Sequence, residues 1–230
     1  MISSGKKITV VIPCYNEGAT IGDVVRNALT HVNEVIVVDD TSKDNSGESA
    51  RAAGAHVIRN DVNRGYDGSI QKGFEEAIRR GADIILTMDA DGQHRIEDIE
   101  PIVRPILAGE ADVTIGQRPR LARLGETVFA MYTRAKFGIR DPLCGLKAYQ
   151  REVYQAIGHF DTLKSIGTQL MVEAGLRGFR VKPVEIQIKP RSDESRFYVQ
   201  TLRGNIKILQ AMFRVMKLAF NYPYAKTRTT

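Results

Sequence analysis

The stretch Asp83-Ile84-Ile85-Leu86-Thr87-Met88-Asp89-Ala90-Asp91-Gly92-Gln93-His94 joins a short apolar run to two closely spaced carboxylates. The run predicts a buried strand with Asp89 and Asp91 at its end. Open α/β sheets bind ligands at the carboxyl ends of their strands, and hard divalent cations prefer oxygen ligands. The stretch therefore predicts a divalent ion that carries a phosphorylated substrate. Asp is also common in turns after strands, so the neighbouring segments are needed to distinguish metal ligands from ordinary turn residues.

Short β-branched apolar runs alternate with helical patterns through the first half of the chain. Strands are predicted at residues 8–13, 35–38, 56–59, 84–88 and 113–116, and helices at 20–29, 47–53, 69–80 and 96–107. This α/β alternation predicts a doubly wound, mostly parallel sheet, because each right-handed crossover needs about a dozen residues. Residues 1–117 are thus expected to be a nucleotide-binding half.

From residue 118 the pattern becomes irregular, beginning with a basic loop. Helices are predicted at 126–137, from 152 onward and at 165–175, and strands at 146–149 and 181–189. Residues 118–200 are expected to form an acceptor half that completes one domain, 1–200. Residues 201–230 are expected to form a basic amphipathic helix and tail.

The net charge of +6 is concentrated at the C-terminus. After Glu194 there is no acidic residue, and the basic residues there are Arg196, Arg203, Lys207, Arg214, Lys217, Lys226 and Arg228. This distribution favours an anionic surface or ligand met by the C-terminus, not a protein that coats nucleic acid.

The cysteine content and the hydropathy of the chain indicate the type of cellular compartment to expect. Cys14 and Cys144 have no metal-like or redox spacing, and two cysteines are too few for a secreted disulfide scaffold. We expect no signal peptide and a reducing compartment. No uncharged apolar stretch approaches the roughly 18 residues of a spanning helix.

Two further strand ends carry groups that suit a nucleotide. Tyr15, after the first strand, can stack on a base. Asp39 or Asp40, after the second strand, can accept hydrogen bonds from a base N–H or from ribose hydroxyls. The first loop lacks the G-x-G-x-x-G of dinucleotide-binding folds and would present Glu17 to a pyrophosphate. The phosphates therefore need a cation.

Six segments in order resemble family 2 glycosyltransferases, and most of all the dolichyl-phosphate mannose synthase branch with its bacterial polyprenyl-phosphate relatives. The resemblance covers about residues 8–200. The segments are Val10-Val11-Ile12-Pro13-Cys14-Tyr15-Asn16-Glu17, Val37-Val38-Asp39-Asp40-Thr41-Ser42, Asn63-Arg64-Gly65, Asp89-Ala90-Asp91-Gly92-Gln93-His94, Ile115-Gly116-Gln117-Arg118 and Asp141-Pro142-Leu143-Cys144-Gly145.

The resemblance implies a GT-A fold, a nucleotide-sugar donor, Mg²⁺ or Mn²⁺ as cofactor, and inverting transfer. By motif it implies a nucleotide-sugar site at Pro13, Tyr15, Glu17, Asp39, Asp40 and Ala90. It implies a metal and diphosphate site at Asp89, Asp91 and Gln93, with Arg118 facing the phosphates. Arg191 and Arg196 match a late acceptor loop less closely, since a Gly is missing and Arg replaces Lys.

The acceptor decides which group performs the chemistry. A phosphate monoester, with a second pKa of about 6, is already a nucleophile at neutral pH and needs arginine clamps. Four arginines are candidates for that phosphate: Arg120, Arg123, Arg191 and Arg196. A hydroxyl acceptor would need a general base, for which Asp141 is the candidate. The predicted catalytic residues are Asp91, Arg118 and Asp141.

Two alternative functions come from other classes of protein. A phosphohydrolase of the Asp-x-Asp type needs a nucleophilic Asp after the first strand, which here ends in Pro13-Cys14-Tyr15. The second alternative is a non-catalytic nucleotide-binding module on the same fold, and the presence of both carboxylates and Gln93 argues against it.

The tail has the pattern of a helix that lies in a membrane interface. One stripe holds Leu202, Ile206, Leu209, Phe213, Met216 and Phe220, and its flank holds Arg203, Lys207, Arg214 and Lys217, with Tyr222 and Tyr224 suited to the headgroup level. The alternative is a helix packed on the domain or on a second subunit. We expect a peripheral protein on the cytoplasmic membrane face that uses a nucleotide-sugar donor and a polyprenyl phosphate acceptor, with a homo-oligomer possible.

Overall fold

A computed structural model describes residues 5–119, 121, 123–187 and 201–222 of the chain, and only the backbone at 201–203. The strands are β1 (Ile8–Cys14), β2 (Glu34–Asp39), β3 (His56–Arg59), β4 (Ile84–Thr87), β5 (Val113–Gln117), β6 (Lys147–Gln150) and β7 (Val181–Glu185). The helices are α1 (Ile21–Leu29), α2 (Ser46–Ala52), α3 (Gly65–Arg79), α4 (Ile99–Leu107), α5 (Leu124–Phe137), α6 (Arg151–Ile157), α7 (Gln169–Leu176) and α8 (Thr201–Asn221), and a 3-10 turn, Ile96–Asp98, precedes α4.

The described strands form one seven-stranded sheet in the order β3-β2-β1-β4-β6-β5-β7. β6 runs antiparallel to β4 and β5, whereas the other neighbours are parallel. The predicted α/β class with a mostly parallel sheet is confirmed. Because the sheet runs through both predicted halves, residues after 118 extend the same core.

The central strands read as continuous apolar runs because helices cover both faces of the sheet. Every residue of β4 is buried, and β1 is buried except for Pro13. Gly73 lets α3 lie directly on the sheet, since a Cβ there would be 2.2 Å from Cγ1 of Val11. This close packing places the N-terminus of α3 beside the carboxyl edge.

Two helices begin four residues away from their predicted starts. α3 starts four residues early, at Gly65, because Asp40 accepts hydrogen bonds from the Arg64 and Gly65 amides. α7 starts four residues late, at Gln169. Residues 161–168 instead form a loop around Asp161, which accepts hydrogen bonds from the amides of Leu163, Ser165 and Gly167. Asp161 thus satisfies the backbone groups that a helix would otherwise pair.

α8 contacts α5 and α7 through a face that differs from its predicted apolar stripe. The packed face contains Ile208, Ala211, Met212, Val215 and Ala219. The predicted stripe points outward at Ile206, Phe213, Met216 and Phe220, of which Phe213 is 62% and Phe220 90% exposed. The helix is therefore apolar on two faces. In the described part of the chain, no helix has the length and apolarity needed to cross a bilayer.

Candidate active site

The sheet register brings the predicted segments to one edge. Cys14 pairs with Asp39 across β1 and β2, and Val11 pairs with Thr87 across β1 and β4. The residues that follow these strands, including Tyr15, Asp40 and Asp89, therefore leave the sheet from adjacent strand ends. This confirms the expected convergence at the carboxyl edge.

Asp89 is partly exposed and lies in a tightly built turn. Its Oδ2 accepts a hydrogen bond from Nε2 of His94 at 3.1 Å. Burial acts to raise the pKa of Asp89, but the His94 hydrogen bond and the charges of Lys147 and Arg118 hold that pKa below its ordinary value. A Cβ at Gly145 would lie 2.2 Å from Oδ2 of Asp89, so only glycine fits against this carboxylate.

The rest of the Asp-x-Asp turn is also anchored. The Gln93 amide donates to Oδ1 of Asp91 at 3.1 Å. Ala90 is buried, and its carbonyl accepts a hydrogen bond from Oγ1 of Thr20 at 2.9 Å. The turn thus keeps both carboxylates at the sheet edge.

The donor set suits a hard divalent ion that shares its coordination with a ligand. Two carboxylates on one turn offer oxygen ligands, and the lowered pKa keeps Asp89 ionised. Among the described residues, no cluster of three or more His, Cys, Asp or Glu side chains could hold a metal alone. Mg²⁺ commonly binds through one or two carboxylates, phosphates and water, which is the arrangement these residues fit.

Arg118, after β5, forms a partly buried ion pair with Asp141. Its Nη2 donates to Oδ1 of Asp141 at 2.8 Å, and its Nε donates to Oδ2. Glu126 of α5 lies 3.4 Å from the same Nη2. Burial acts to lower the pKa of Arg118, but the hydrogen bonds and charge of Asp141 outweigh it and raise that pKa. The guanidinium is therefore fixed and permanently charged.

This pairing bears on Asp141 as a general base. Asp141 is buried, and both of its oxygens accept hydrogen bonds from Arg118. The amide oxygen of Gln117 also accepts the Asp141 backbone N–H at 3.1 Å. Because both carboxylate oxygens already accept hydrogen bonds from the guanidinium, the geometry favours a role for Asp141 in positioning Arg118.

Neither Asp39 nor Asp40, the two predicted nucleotide carboxylates after β2, opens to solvent. Asp40 is buried, and it also accepts a hydrogen bond from Nδ2 of Asn60 at 2.8 Å. Asp39 is 1% exposed and accepts hydrogen bonds from the Ser42 amide and from Nη1 of Arg59. Both carboxylates therefore brace the loops after β2 and β3 in this structure.

The first loop keeps its predicted position. Tyr15 is exposed at the end of β1, beside the partly buried Pro13. The Glu17 amide donates to Oγ of Ser46 at 2.8 Å, and the Glu17 carbonyl accepts the Ile21 amide at the start of α1. Tyr15 thus remains available for stacking.

A buried charged residue of the site was not predicted from the sequence. Lys147 of β6 is 2% exposed, and its Nζ donates to the Gly167 carbonyl at 2.6 Å. Burial lowers the pKa of Lys147, against the charges of Cys144, Asp141, Asp161 and Asp67. A lysine between Leu146 and Ala148 in an apolar strand was the only sequence signal.

The acceptor arginines are less fully described. Arg123 directly precedes α5. Its guanidinium lies close to Gly204 of α8: a Cβ built on Gly204 would be 3.7 Å from Nη1 of Arg123. Arg120, Arg191 and Arg196 lie outside the described residues. Their predicted contact with an acceptor phosphate stays a prediction.

Comparison with known families decides the class of the chain. The model of glycosyl transferase family 2 matches residues 9–160. The chain belongs to glycosyl transferase family 2. It is therefore a glycosyltransferase enzyme by family, as the motifs predicted.

The family 2 relatives include polyprenyl-phosphate enzymes. A dolichol-phosphate mannosyltransferase of Pyrococcus furiosus is 30% identical over 92% of this chain, which spans 64% of that relative. An undecaprenyl-phosphate mannosyltransferase of Micrococcus luteus is 30% identical over a region that covers 79% of this chain and 82% of that relative. These relatives confirm the predicted branch of family 2.

The fold of this family 2 member is the GT-A type. One similar structure is glucosyl-3-phosphoglycerate synthase from Mycobacterium tuberculosis, which was solved with Mn²⁺ and UDP-glucose. The alignment covers 96% of this chain and 81% of the synthase chain. The TM-score is 0.76 at 21% identity. The predicted GT-A fold is confirmed.

Proposed function

We propose that this protein is an inverting glycosyltransferase that moves a sugar from a nucleotide-sugar to a polyprenyl phosphate at the cytoplasmic membrane face. The observation that carries the proposal is the Asp89-x-Asp91 turn at the sheet edge, with the Arg118–Asp141 pair nearby. An attacking acceptor needs an in-line donor whose departing charge is neutralised. Here the carboxylates of Asp89 and Asp91 would hold a cation, and the guanidinium of Arg118 would add positive charge, so both can neutralise the departing diphosphate.

The donor side is supported by the residues after β1, β2 and β4. Tyr15 would stack on the base, while Pro13, Glu17, Asp39, Asp40 and Ala90 shape the nucleotide-sugar site. Asp89, Asp91 and Gln93 would hold Mg²⁺ or Mn²⁺, which neutralises diphosphate charge when bound. A structural neighbour was solved with Mn²⁺ and UDP-glucose, which supports a metal here.

Arg118 is suited to the departing diphosphate. A guanidinium presents N–H groups in a fork that matches phosphate oxygens, and it keeps its charge at any working pH. The Asp141 and Glu126 contacts preorganise it, so little conformational entropy is lost when phosphate binds.

A phosphate acceptor fits this site better than a hydroxyl acceptor. A hydroxyl would need a general base, and Asp141 is already occupied by Arg118. A phosphate monoester needs only orientation, for which Arg120, Arg123, Arg191 and Arg196 are the candidates. The names of the Pyrococcus and Micrococcus relatives support a polyprenyl phosphate.

A lipid acceptor is met at a bilayer, and one surface suits that contact. The outward stripe of α8 lies beside the exposed Lys207, Arg214 and Lys217. α5, which packs on α8, also exposes Leu124 and Met131. Each basic residue near an anionic surface contributes about 1 kcal/mol, which gives salt-sensitive attachment. A second copy of the chain is the competing occupant of this surface.

The test is a screen of GDP- and UDP-sugars with polyprenyl phosphate and Mn²⁺ or Mg²⁺, followed by mass analysis of the lipid product. A glycosyl-phosphate lipid would support the proposal. Transfer only to a hydroxyl of a glycan or glycolipid would support the alternative acceptor and redirect attention to Asp141. Nucleotide binding without turnover of any sugar donor would indicate a non-catalytic module.

A further inference from the structure

Arg59 ends β3 in the same transverse row as Cys14 and Asp39. Cys14 pairs with Asp39, and Asp39 pairs with Arg59. Cys14 precedes Tyr15, the proposed stacking residue, so Arg59 lies two strands away at the same sheet edge. The nucleotide site proposed above therefore has an arginine at its β3 side.

Two contacts hold the Arg59 guanidinium in place. Its Nη1 donates to Oδ2 of Asp39 at 2.5 Å, and its Nη2 donates to the Ser42 carbonyl at 2.9 Å. Ser42 in turn accepts the Asn16 amide on its Oγ at 3.0 Å. A chain of contacts thus runs from Arg59 through Ser42 to the residue after Tyr15. The guanidinium belongs to the same loop cluster as the aromatic ring.

The guanidinium covers the carboxylate that was expected to meet the base. The Asp39 side chain is 1% exposed, whereas that of Arg59 is 54% exposed. Asp39 and Ser42 use two of the five guanidinium N–H groups, one on Nη1 and one on Nη2, which leaves three donors on this half-exposed side chain. The surface here offers hydrogen-bond donors, not a carboxylate acceptor.

We infer that Arg59 reads the base of the nucleotide donor and selects guanine. Guanine presents two acceptors, O6 and N7, on one edge, and this pair matches an arginine fork. Uracil places an N–H donor beside its O4, and adenine places an amino donor beside its N7, so each offers the fork a single acceptor. The inference rests on the proposed nucleotide-sugar function and names the base for that site.

The first test needs no variant. Calorimetry with the full chain and Mn²⁺ measures binding of GDP, UDP, ADP and 7-deaza-GDP, which lacks the N7 acceptor. We expect GDP to bind about tenfold or more tighter than UDP or ADP, and 7-deaza-GDP to lose about tenfold, because a bidentate base contact has that order of effect. UDP binding as tight as GDP, or full affinity for 7-deaza-GDP, would overturn the inference.

The second test separates base reading from loop bracing. Arg59→Ala should abolish the preference for GDP over UDP while UDP affinity stays within about twofold, since only guanine uses the fork. Arg104→Ala, which removes an exposed arginine paired with Glu100 on α4, is the charge-matched control. An equal loss for GDP and UDP in Arg59→Ala would show that Arg59 only braces the loops.

The binding experiments distinguish a failure of the proposed function from a failure of the role of Arg59. A wild-type protein that binds no nucleoside diphosphate would contradict the proposed function and the role of Arg59 together. A protein that binds UDP and GDP equally would contradict the role of Arg59 alone. If Arg59→Ala fails to fold, the comparison of GDP with 7-deaza-GDP on the wild-type protein still tests whether the N7 acceptor of guanine is recognised.

Discussion

Arg118 and Asp141 are 23 residues apart in the chain, yet both oxygens of the buried carboxylate accept hydrogen bonds from one guanidinium. This pair separates two roles for Asp141, general base and positioning group. If Asp141 positions Arg118, Asp141→Asn should lower kcat/KM by about 10- to 100-fold, since hydrogen bonds to charged groups contribute about 1.5–3 kcal/mol. The shape of the pH–rate profile should not change.

Glu126→Gln is the matched control, because its contact with Arg118 is longer, 3.4 Å, and its effect should be smaller. Loss of the acidic limb of the pH–rate profile in Asp141→Asn would instead identify Asp141 as a base.

Asp91→Ala should abolish transfer and metal-dependent donor binding while the fold survives. Asp91 lies in a turn at the sheet edge, so its removal weakens the metal site and leaves diphosphate charge uncompensated. Mn²⁺ binding with GDP or UDP, thermal melting and turnover measure the three effects. Asp23→Ala, on the exposed surface of α1, is the control. Full activity in excess chelator would contradict the metal assignment.

Asp67→Asn should stabilise the protein at neutral pH but not near pH 4. Burial, followed by the charge of Asp161, raises the pKa of Asp67 from 3.8 to about 6. The folded state therefore disfavours the ionised carboxyl, so Asp67 costs stability as pH rises from about 4 to about 6, and the full cost remains above that range. A neutral amide removes a cost on the order of 1–3 kcal/mol.

Urea unfolding of Asp67→Asn and wild type at pH 4 and pH 7.5 measures this difference. A stability gain that is equal at both pH values would mean that the pKa of Asp67 is not raised in the folded protein.

Phe220→Glu should weaken binding to anionic vesicles without unfolding the protein. Phe220 is 90% exposed on the outward stripe of α8, so a carboxylate there costs little in the folded state but opposes contact with an anionic bilayer. Vesicle flotation at low and high salt, with circular dichroism for the fold, provides the measurement.

Gln210→Glu adds the same charge at another exposed position of α8 and is the matched control. Deletion of α8 would be a poorer test, because it would also expose the α5 and α7 surfaces that its buried face covers. If Phe220→Glu leaves vesicle binding intact but changes the oligomeric state, the stripe belongs to a subunit interface.

Arg191→Ala and Arg196→Ala should weaken use of a polyprenyl phosphate far more than donor binding, because both arginines are proposed to bind the acceptor phosphate. Activity should persist down to about pH 6, near the second pKa of a phosphate monoester. KM for the lipid and Kd for the nucleotide separate the two effects. Equal losses in both would contradict an acceptor role for these arginines.

Local sequence determined much of this protein. The alternation of β-branched runs with helical spacing encoded the α/β class, because side-chain periodicity along a strand or helix is a property of neighbouring residues. The Asp89-x-Asp91 turn after an apolar strand indicated the site edge for the same reason. The order of six short motifs, each continuous in the chain, indicated family 2, and the family model that matches residues 9–160 confirms it.

Only the tertiary structure decided which distant groups meet. The apolar residues of α8 predicted an amphipathic helix, but contact with α5 and α7 determined that Ile208 and Val215 are buried while Phe213 is exposed. Asp39 was predicted to meet a base, but Arg59, 20 residues away in the chain, covers its carboxylate. Lys147 is buried in the sheet, and its Nζ donates a hydrogen bond to the Gly167 carbonyl of the 161–168 loop, a partner 20 residues away. The periodicity of the sequence determines which face of a helix or strand a residue occupies. The residue that it contacts on that face depends on how distant segments pack together, and local sequence does not encode this.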